Sequence, residues 1–159
     1  MRKRSARGTS DNAGRYANYL WGAHNQLPLA LATPSLFTYY QSPPRLQNAL
    51  VVGVSQSGQS PDIVSVLEEG RKQNCLTLAI TNIPDSPLAK TADFVLDLQA
   101  GPEKAVAATK TYTAELMAIA MLSAALEDSD DRWSELTLVP KWAEQSLALD
   151  ESIAQMAQR

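Results

Sequence analysis

The sequence predicts an α/β fold built on a parallel sheet. Three short apolar runs, at residues 49–54, 76–80 and 94–98, have the length and the aliphatic content of strands. The first run is continuous, which is typical of a parallel strand buried on both faces. Segments with helical spacing separate the runs, so we expect a layered α/β sheet with right-handed crossovers. A chain of 159 residues is long enough for one domain with a hydrophobic core.

The first helix is predicted from the spacing of its apolar residues. From Asn12 to Trp21 the apolar side chains recur at helical intervals, and Ser10 or Asp11 is the expected N-cap. The only histidine of the sequence, His24, lies near the predicted end of this helix. We expect an ordinary surface histidine there, because neither a catalytic partner nor a metal-ligating cluster lies near it in sequence.

The later helices have equally local signals. Ser60 is a good cap, and Pro61 has the φ that suits the first turn of a helix. A short helix is expected over residues 86–92, and a long helix, apolar on nearly all sides, over residues 105–126. Beyond an acidic linker, a narrow apolar seam predicts a helix that packs either on a partner helix or on its own domain. The seam consists of Trp142, Ser146, Leu149, Ile153 and Met156.

Composition and charge exclude several classes of function. The formal net charge of -3 provides no general attraction for nucleic acid. The single cysteine, Cys75, allows neither an internal disulfide nor a thiolate metal cluster and is expected to be a small buried hydrophobe. The basic start lacks the apolar stretch of a secretion signal, and the most apolar segment is too short to span a bilayer. We therefore expect a cytoplasmic protein with no membrane, nucleic-acid or metal partner.

The clearest candidate for function is the segment Ser55-Gln56-Ser57-Gly58-Gln59-Ser60, called the serine loop below. It lies between a predicted strand and a predicted helix, where parallel sheets bind ligands through N–H groups at helix N-termini. Hydroxyl and amide groups are neutral donors that suit phosphate oxygens, and Gly58 lets the backbone turn close to an anion. The serine loop is therefore predicted to bind a phosphate group.

Nucleotide-binding interpretations of the serine loop fail on its residues. Gly53 and Gly58 have the spacing of a P-loop, but Gln59 replaces the required lysine, and no G-x-G-x-x-G dinucleotide motif is present. A serine- and glycine-rich turn with no ligand remains open. Asp62 favours that alternative, because a carboxylate in the first helical turn competes with an anion for the helix dipole.

Three motifs, in order along the chain, resemble a known family. Gly8-Thr9-Ser10, the serine loop and residues 105–113 are similar to the first loop, the phosphate loop and the start of the long helix in sugar isomerase (SIS) domains. The match covers residues 7–126 and is nearest to the first of two such domains in the isomerase half of glucosamine-6-phosphate synthases. The resemblance implies a flavodoxin-like three-layer αβα sandwich, a homodimer and no cofactor.

The resemblance also assigns roles to individual residues. It implies a ligand such as fructose 6-phosphate or glucosamine 6-phosphate. The catalytic candidates are Glu103, as a general base, and Lys110, as a cation that screens the phosphate charge. Each could equally be an ordinary exposed residue with no catalytic role. Ser10, Ser55, Gln56, Ser57 and Ser60 would hold the phosphate, Thr9 and Val106 would contact the sugar, and Gly8 and Gly58 would shape the two loops.

The chain departs from the family pattern near its ends. Residues 2–7 contain no apolar run, so the first strand of the sheet is expected to be short or missing. We expect an N-terminally truncated SIS domain at residues 1–127, while residues 128–159 form the acidic linker and a C-terminal helix that lead toward a missing second SIS domain. In the synthases that second domain supplies acid/base groups, so the catalytic set is expected to be incomplete. No residues resemble a glutaminase.

These expectations give one leading hypothesis and two alternatives. The leading hypothesis is hexose phosphate binding by a domain of an aldose-ketose isomerase or aminotransferase of amino sugar phosphate metabolism. The first alternative is the phosphosugar-sensing module of a transcriptional regulator, although no helix-turn-helix is seen in the sequence. The second is a stand-alone isomerase completed by the neighbouring subunit, in which Glu103 and His24 would be the residues to test.

Overall fold

A computed structural model describes residues 9–104 and 107–157, except for the side chains of residues 151 and 152. Three parallel strands form its sheet: β1 (Leu50–Val54), β2 (Leu76–Thr81) and β3 (Phe94–Asp97), in the order β1-β2-β3. Val54 pairs with Ile80 and Thr81 pairs with Asp97, so the carboxyl ends of the strands meet at one edge. All three predicted strands are confirmed.

Eight helices occur in the part of the chain that the structure describes. They are α1 (Ser10–Asn25), α2 (Ser35–Thr38), α3 (Pro61–Lys72), α4 (Pro87–Thr91), α5 (Thr109–Glu127), α6 (Asp130–Leu136), α7 (Val139–Leu147) and α8 (Asp150–Ala157).

Helices cover both faces of the sheet, which confirms the predicted αβα sandwich. On one face α1 and α5 pack around Trp21, Ile80 and Ile119, and the indole N–H of Trp21 donates to the carbonyl of Ile119 at 3.2 Å. On the other face α3 and α4 pack around Leu67 and Leu88. Each core buries apolar side chains from a helix pair and from the sheet, the main source of stability in such a layered fold.

The capping predictions are partly wrong. Helix α1 begins at Ser10 with Thr9 as its N-cap, and no side chain caps it. The Ser10 hydroxyl donates instead to Glu115 on α5. Helix α5 was predicted to begin at residue 105 but begins at Thr109. The residue before it, Ala108, has a left-handed backbone with φ 48°, which is incompatible with a right-handed helix at that position. Ser60 is the N-cap residue of α3, as predicted, but its hydroxyl makes no capping hydrogen bond.

The C-terminal segment differs from the predicted linker and single helix. The acidic stretch forms α6, since the Ser129 hydroxyl accepts from the N–H of Arg132 and Asp130 and Asp131 lie in the first helical turn. The predicted seam is divided between α7 and α8. Its apolar members are about half exposed or more, so they are not buried on the described part of the domain. They are Trp142, Leu149, Ile153 and Met156.

The predictions for Cys75 and His24 agree with the structure. The Cys75 side chain is buried in the core under α3, and His24 is exposed beside Arg132 of α6. Within residues 9–104 and 107–157, no helix combines the length and apolarity needed to cross a bilayer.

Candidate functional site

A cleft of about 770 Å³ opens at the carboxyl end of β1, bordered by the serine loop, α1, α3 and α5. This is the edge at which open parallel sheets bind their ligands. The structure brings together here most of the described residues that the sequence assigned to a ligand. They are Thr9, Ser10, Ser55, Gln56, Ser57 and Ser60. Gly8 and Val106 lie outside the described residues, and Gly58 shapes the serine loop from within.

The serine loop is attached to the rest of the domain mainly through its carbonyl groups. The N–H of Asn82 donates to the carbonyl of Gln56 at 3.1 Å, and the N–H of Leu88 donates to the carbonyl of Gly58 at 3.0 Å. Only the first amide of the loop is used in this way, since the Ser55 N–H donates to the β2 carbonyl of Ile80 at 3.0 Å. The loop is therefore fixed by carbonyl acceptors to α4 and to the residue that follows β2, and by the Ser55 N–H to β2 itself.

Several donors of the serine loop make no hydrogen bond to the described residues. These are the backbone N–H groups of Gln56, Ser57 and Ser60 and the hydroxyl of Ser60. Ser60 is the N-cap of α3, and Gln56 and Ser57 belong to the loop that leads into this helix, whose dipole favours negative charge at its N-terminus. Uncommitted N–H groups at such a position form a ready anion site.

Gly58 gives the serine loop its turn, and this position accepts no side chain. Its φ is +59°, which L residues rarely adopt. A Cβ at this position would overlap the Ser86 hydroxyl and would lie 2.5 Å from the Cβ of Ser86. Ser86 itself caps α4 by accepting from the N–H of Ala89. The turn of the loop is thus shaped by the start of α4 behind it.

The side of the cleft formed by α1 and α5, called the helix side below, contains a buried carboxyl group. This group, on Glu115, accepts a hydrogen bond from Ser10, a residue predicted to bind phosphate. The Ser10 hydroxyl donates to Oε1 of Glu115 at 2.8 Å. Glu115 is 1% exposed, and its Oε2 has no hydrogen-bond partner among the residues that the structure describes. Burial raises the pKa of Glu115 to about 7, and the hydrogen bond from Ser10 opposes this rise. The carboxyl group therefore changes charge near neutral pH.

Sequence reasoning missed Glu115. It is the only acidic residue between Ala105 and Leu126, a stretch predicted as a helix that is apolar on nearly all sides. A single acidic residue in a helix that is predicted to be buried on nearly all sides is unusual, because carboxylates are rarely buried without a partner. This unusual position is the sequence signal that could have identified Glu115.

Thr9 links the two segments that flank the cleft. Its hydroxyl donates to the carbonyl of Ala107 at 3.0 Å, joining the start of α1 to the segment before α5. Thr9 therefore borders the cleft, as the resemblance implied for a sugar contact, but its hydroxyl proton is already used within the protein.

Glu103 and Lys110, the two catalytic candidates, do not line this cleft. The Glu103 carboxylate accepts from the N–H and the hydroxyl of Thr111 at 3.1 and 2.9 Å, which caps the first turn of α5. The exposed Lys110 donates from Nζ to the carbonyl of Pro102 at 2.8 Å. Glu103 borders a second cleft of about 560 Å³ beyond β2 and β3, and Gln56 belongs to the border of both clefts.

The described residues offer no obvious cation for a ligand. No three His, Cys, Asp or Glu side chains among them are grouped as metal ligands would be. The residues that border the larger cleft include Asp11, Asp62 and Glu115 but neither lysine nor arginine. An anion bound there would thus depend on hydrogen-bond donors and on the helix dipole.

Comparison with known proteins identifies the family. The family model of the SIS domain matches residues 5–125. The chain belongs to the SIS domain family. This result confirms the resemblance seen in the three sequence motifs. The match ends two residues before the end of α5, so α6, α7 and α8 lie outside the matched SIS domain.

Similar proteins include enzymes of sugar phosphate metabolism. Glutamine–fructose-6-phosphate aminotransferase [isomerizing] of Aquifex aeolicus (strain VF5) is 33% identical over 155 residues, which cover 96% of this chain and 26% of the enzyme. The SIS-domain chain therefore spans about a quarter of that relative's length.

Two solved structures share both fold and sequence with this SIS domain. The C-terminal domain of glucosamine-fructose-6-phosphate aminotransferase from Francisella tularensis aligns with a TM-score of 0.83 at 28% identity, covering 95% of this chain and 45% of that one. A protein from Silicibacter pomeroyi DSS-3, provisionally assigned as a phosphosugar isomerase, aligns with a TM-score of 0.81 at 36% identity and covers 91% of this chain and 47% of that one.

Proposed function

We propose that this SIS domain binds a hexose phosphate in the cleft, with the phosphate on the serine loop. The observation that supports the proposal most directly is a set of N–H groups, at Gln56, Ser57 and Ser60 in the loop before α3, that make no hydrogen bond to the described residues. Similarity to fructose-6-phosphate aminotransferases makes fructose 6-phosphate the first ligand to test. Glucosamine 6-phosphate is the second.

The proposed phosphate contacts are neutral. Backbone N–H groups of the serine loop and the hydroxyls of Ser57 and Ser60 would donate to the phosphate oxygens, and the dipole of α3 would offset part of the charge. Ser55 is less available, because its hydroxyl accepts from the Gly58 N–H at 3.2 Å, though it can still donate its proton. Ser10 would contribute from the helix side of the cleft.

The proposal assigns binding to these residues and assigns no reaction to them alone. Glu103 and Lys110 are engaged with the N-terminal region of α5 rather than with the larger cleft. Isomerisation or amino transfer would then depend on groups beyond this cleft, in the larger proteins that the chain resembles or in a second subunit. A homodimer remains a prediction, which sedimentation of the purified chain would check.

Thermal unfolding with and without fructose 6-phosphate tests the proposal. A ligand at 100 times its Kd stabilises the folded state by about 2.7 kcal/mol, which raises Tm by several degrees for a chain of this size. Fructose without phosphate should raise Tm far less. No shift with any hexose phosphate, for a chain that unfolds cooperatively, would reject the proposal.

A pair of serine variants locates the site. Ser60→Ala should weaken fructose 6-phosphate about tenfold, because a hydroxyl that donates to a charged group is lost. Ser134→Ala is the matched control, since the Ser134 hydroxyl donates to the carbonyl of Asp130 on α6, away from the cleft. Equal affinity in both variants would place the phosphate elsewhere.

A further inference from the structure

The pairing of Ser10 with Glu115 limits what Ser10 can offer to a ligand. A serine hydroxyl has one proton to donate. In the structure Ser10 directs that proton to Glu115 Oε1 at 2.8 Å. While Glu115 is a carboxylate, Ser10 can therefore present only lone pairs to a phosphate oxygen, which is itself an acceptor. An anion next to these groups would also meet a second negative charge.

Protonation of Glu115 reverses this arrangement. A carboxylic acid has an O–H donor, which can point at the Ser10 oxygen and leave the Ser10 proton available for the ligand. The second carboxyl oxygen, Oε2, finds no hydrogen-bond partner within residues 9–104 and 107–157 and lies in a fully buried side chain beside the cleft. A buried acceptor without a donor is costly, and a proton on the carboxyl group lowers that cost.

The charged neighbours of Glu115 do not hold it in the carboxylate form. Helix α5 packs on α1, α6 and β2, and β2 contains no charged residue. Among the described residues, the cations of these helices have other partners. Arg15 pairs with Asp11, Arg132 pairs with Glu127 and contacts His24, and Lys110 binds the Pro102 carbonyl.

The remaining ionisable groups on these elements are acids and tyrosines. The acids are Asp11, which borders the same cleft, together with Glu127 on α5 and Asp130, Asp131 and Glu135 on α6; the tyrosines are Tyr16 and Tyr19 on α1 and Tyr112 on α5. From α3, Asp62 also borders the cleft. Two acidic residues thus share the border of the cleft with Glu115, and neither brings a positive charge to it.

We propose that Glu115 is a positioning residue for the phosphosugar, which binds the form in which Glu115 is protonated and Ser10 donates to the phosphate. The proposal rests on the proposed function, because it assigns a role within the same binding site. Binding at neutral pH would then take up a proton from solvent at Glu115. Since burial raises the pKa of Glu115 to about 7, this uptake falls in an accessible range of pH.

The first test compares affinities for fructose 6-phosphate at pH 6 and pH 8.5 by titration calorimetry. Glu115→Gln keeps an amide donor for the Ser10 oxygen at every pH. With a pKa of about 7, the competent fraction of wild-type protein falls about 30-fold between these pH values. The ratio of wild-type to Glu115→Gln affinity should fall by about the same factor. Ionisation of the sugar phosphate itself affects both proteins and cancels in this ratio.

A matched control uses an exposed carboxylate. Glu135 lies on α6 away from the cleft, so the ratio of wild-type to Glu135→Gln affinity should stay constant over the same range. A constant ratio for Glu115→Gln as well would overturn the proposal. If wild-type protein does not bind fructose 6-phosphate anywhere between pH 6 and pH 8.5, both the proposed function and the role of Glu115 fail. Binding with a constant ratio of wild-type to Glu115→Gln affinity would overturn only the role of Glu115.

A second test separates the role of Ser10 from simple charge repulsion. In a Ser10→Ala background, Glu115→Gln should change the pH dependence several-fold less than in wild type. An undiminished effect would show that Ser10 has no part in the pH dependence and would overturn the proposal.

A third test, carboxyl carbon NMR of the wild-type protein, needs no variant. At pH 7.5, fructose 6-phosphate should shift the Glu115 carboxyl signal toward its protonated position. An unchanged signal in the bound state would contradict the proposal.

Discussion

The serine loop and the helix side of the cleft differ in how they would bind the proposed ligand. In the loop, carbonyl groups anchor the chain, while the N–H groups of Gln56, Ser57 and Ser60 have no acceptor in the described part of the chain. On the helix side, the Ser10 hydroxyl is committed to a buried carboxyl group. The loop therefore offers donors at every pH, whereas the helix side offers one only when Glu115 is protonated. The two proposals therefore assign binding strength and its pH dependence to separate parts of one site.

The largest expected effect tests whether the serine loop is fixed by α4 behind it. Gly58→Ala should lower the free energy of unfolding by about 3 kcal/mol, because it combines a left-handed backbone with overlap against Ser86. Urea denaturation measures this loss. Gly22→Ala on α1 is the control: a Cβ there meets nothing within 4 Å, so alanine should stabilise the helix by about 0.5–1 kcal/mol. Similar losses in both variants would contradict a fixed loop.

The next effect concerns the helix side alone, without ligand. The pKa of Glu115 is about 7 in the folded protein, against 4.5 for an unperturbed glutamate, so between these values the folded protein holds more protons than the unfolded chain. Wild-type stability therefore falls as pH rises through this window. Relative to Glu115→Gln, wild type should lose on the order of 2 kcal/mol between pH 5 and pH 8.

Urea denaturation at both pH values measures this difference. Glu135→Gln, which removes an exposed carboxylate, should follow wild type at each pH. A Glu115→Gln variant that tracks wild type across the window would mean that the carboxyl group ionises at its ordinary pKa.

A smaller effect distinguishes helix capping from function at Glu103. Glu103→Ala removes the acceptor for Thr111 and should cost about 1 kcal/mol of stability. The affinity for fructose 6-phosphate should change less than twofold, since Glu103 does not border the larger cleft. A tenfold loss of affinity with unchanged stability would instead return Glu103 to the binding site.

The smallest effect concerns the carboxylate at the N-terminus of α3. Asp62→Asn should strengthen fructose 6-phosphate about twofold to threefold, because Asp62 competes with the phosphate for the dipole of that helix. Asp131→Asn, in the first turn of α6, is the control and should leave affinity unchanged. Weaker binding by Asp62→Asn would mean that this carboxylate contacts the sugar rather than opposing the phosphate.

The sequence predicts the strands and the serine loop well because their signals are local. The continuous apolar run that forms β1 and the Ser60-Pro61 start of α3 each lie within a few residues of the structure that they specify. Helix α6 within the acidic stretch is absent from the sequence prediction, although Ser129 followed by two aspartates has the composition of a helix start.

The helix side of the cleft was less predictable, because it depends on contacts between distant parts of the chain. Ser10 and Glu115 are 105 positions apart, so their hydrogen bond has no local signal. The expected capping role of Ser10 was wrong because Ser10 is itself the first residue of α1 and Thr9 holds the N-cap position. The sequence likewise suggests a chemical role for Glu103, whereas in the structure its carboxylate accepts a hydrogen bond from the Thr111 hydroxyl. Local pattern identifies residue types suited to a site, whereas the partner that commits each side chain appears only in three dimensions.

The three tryptophans give the helix side an optical reporter. Trp21 is buried between α1 and α5, the helices that contain Ser10 and Glu115, whereas Trp133 and Trp142 are 37% and 49% exposed. A soluble quencher such as iodide should suppress emission from the exposed pair and spare the buried indole. The residual fluorescence would then come from a single chromophore, and its wavelength and lifetime would follow rearrangements between α1 and α5 without an introduced label.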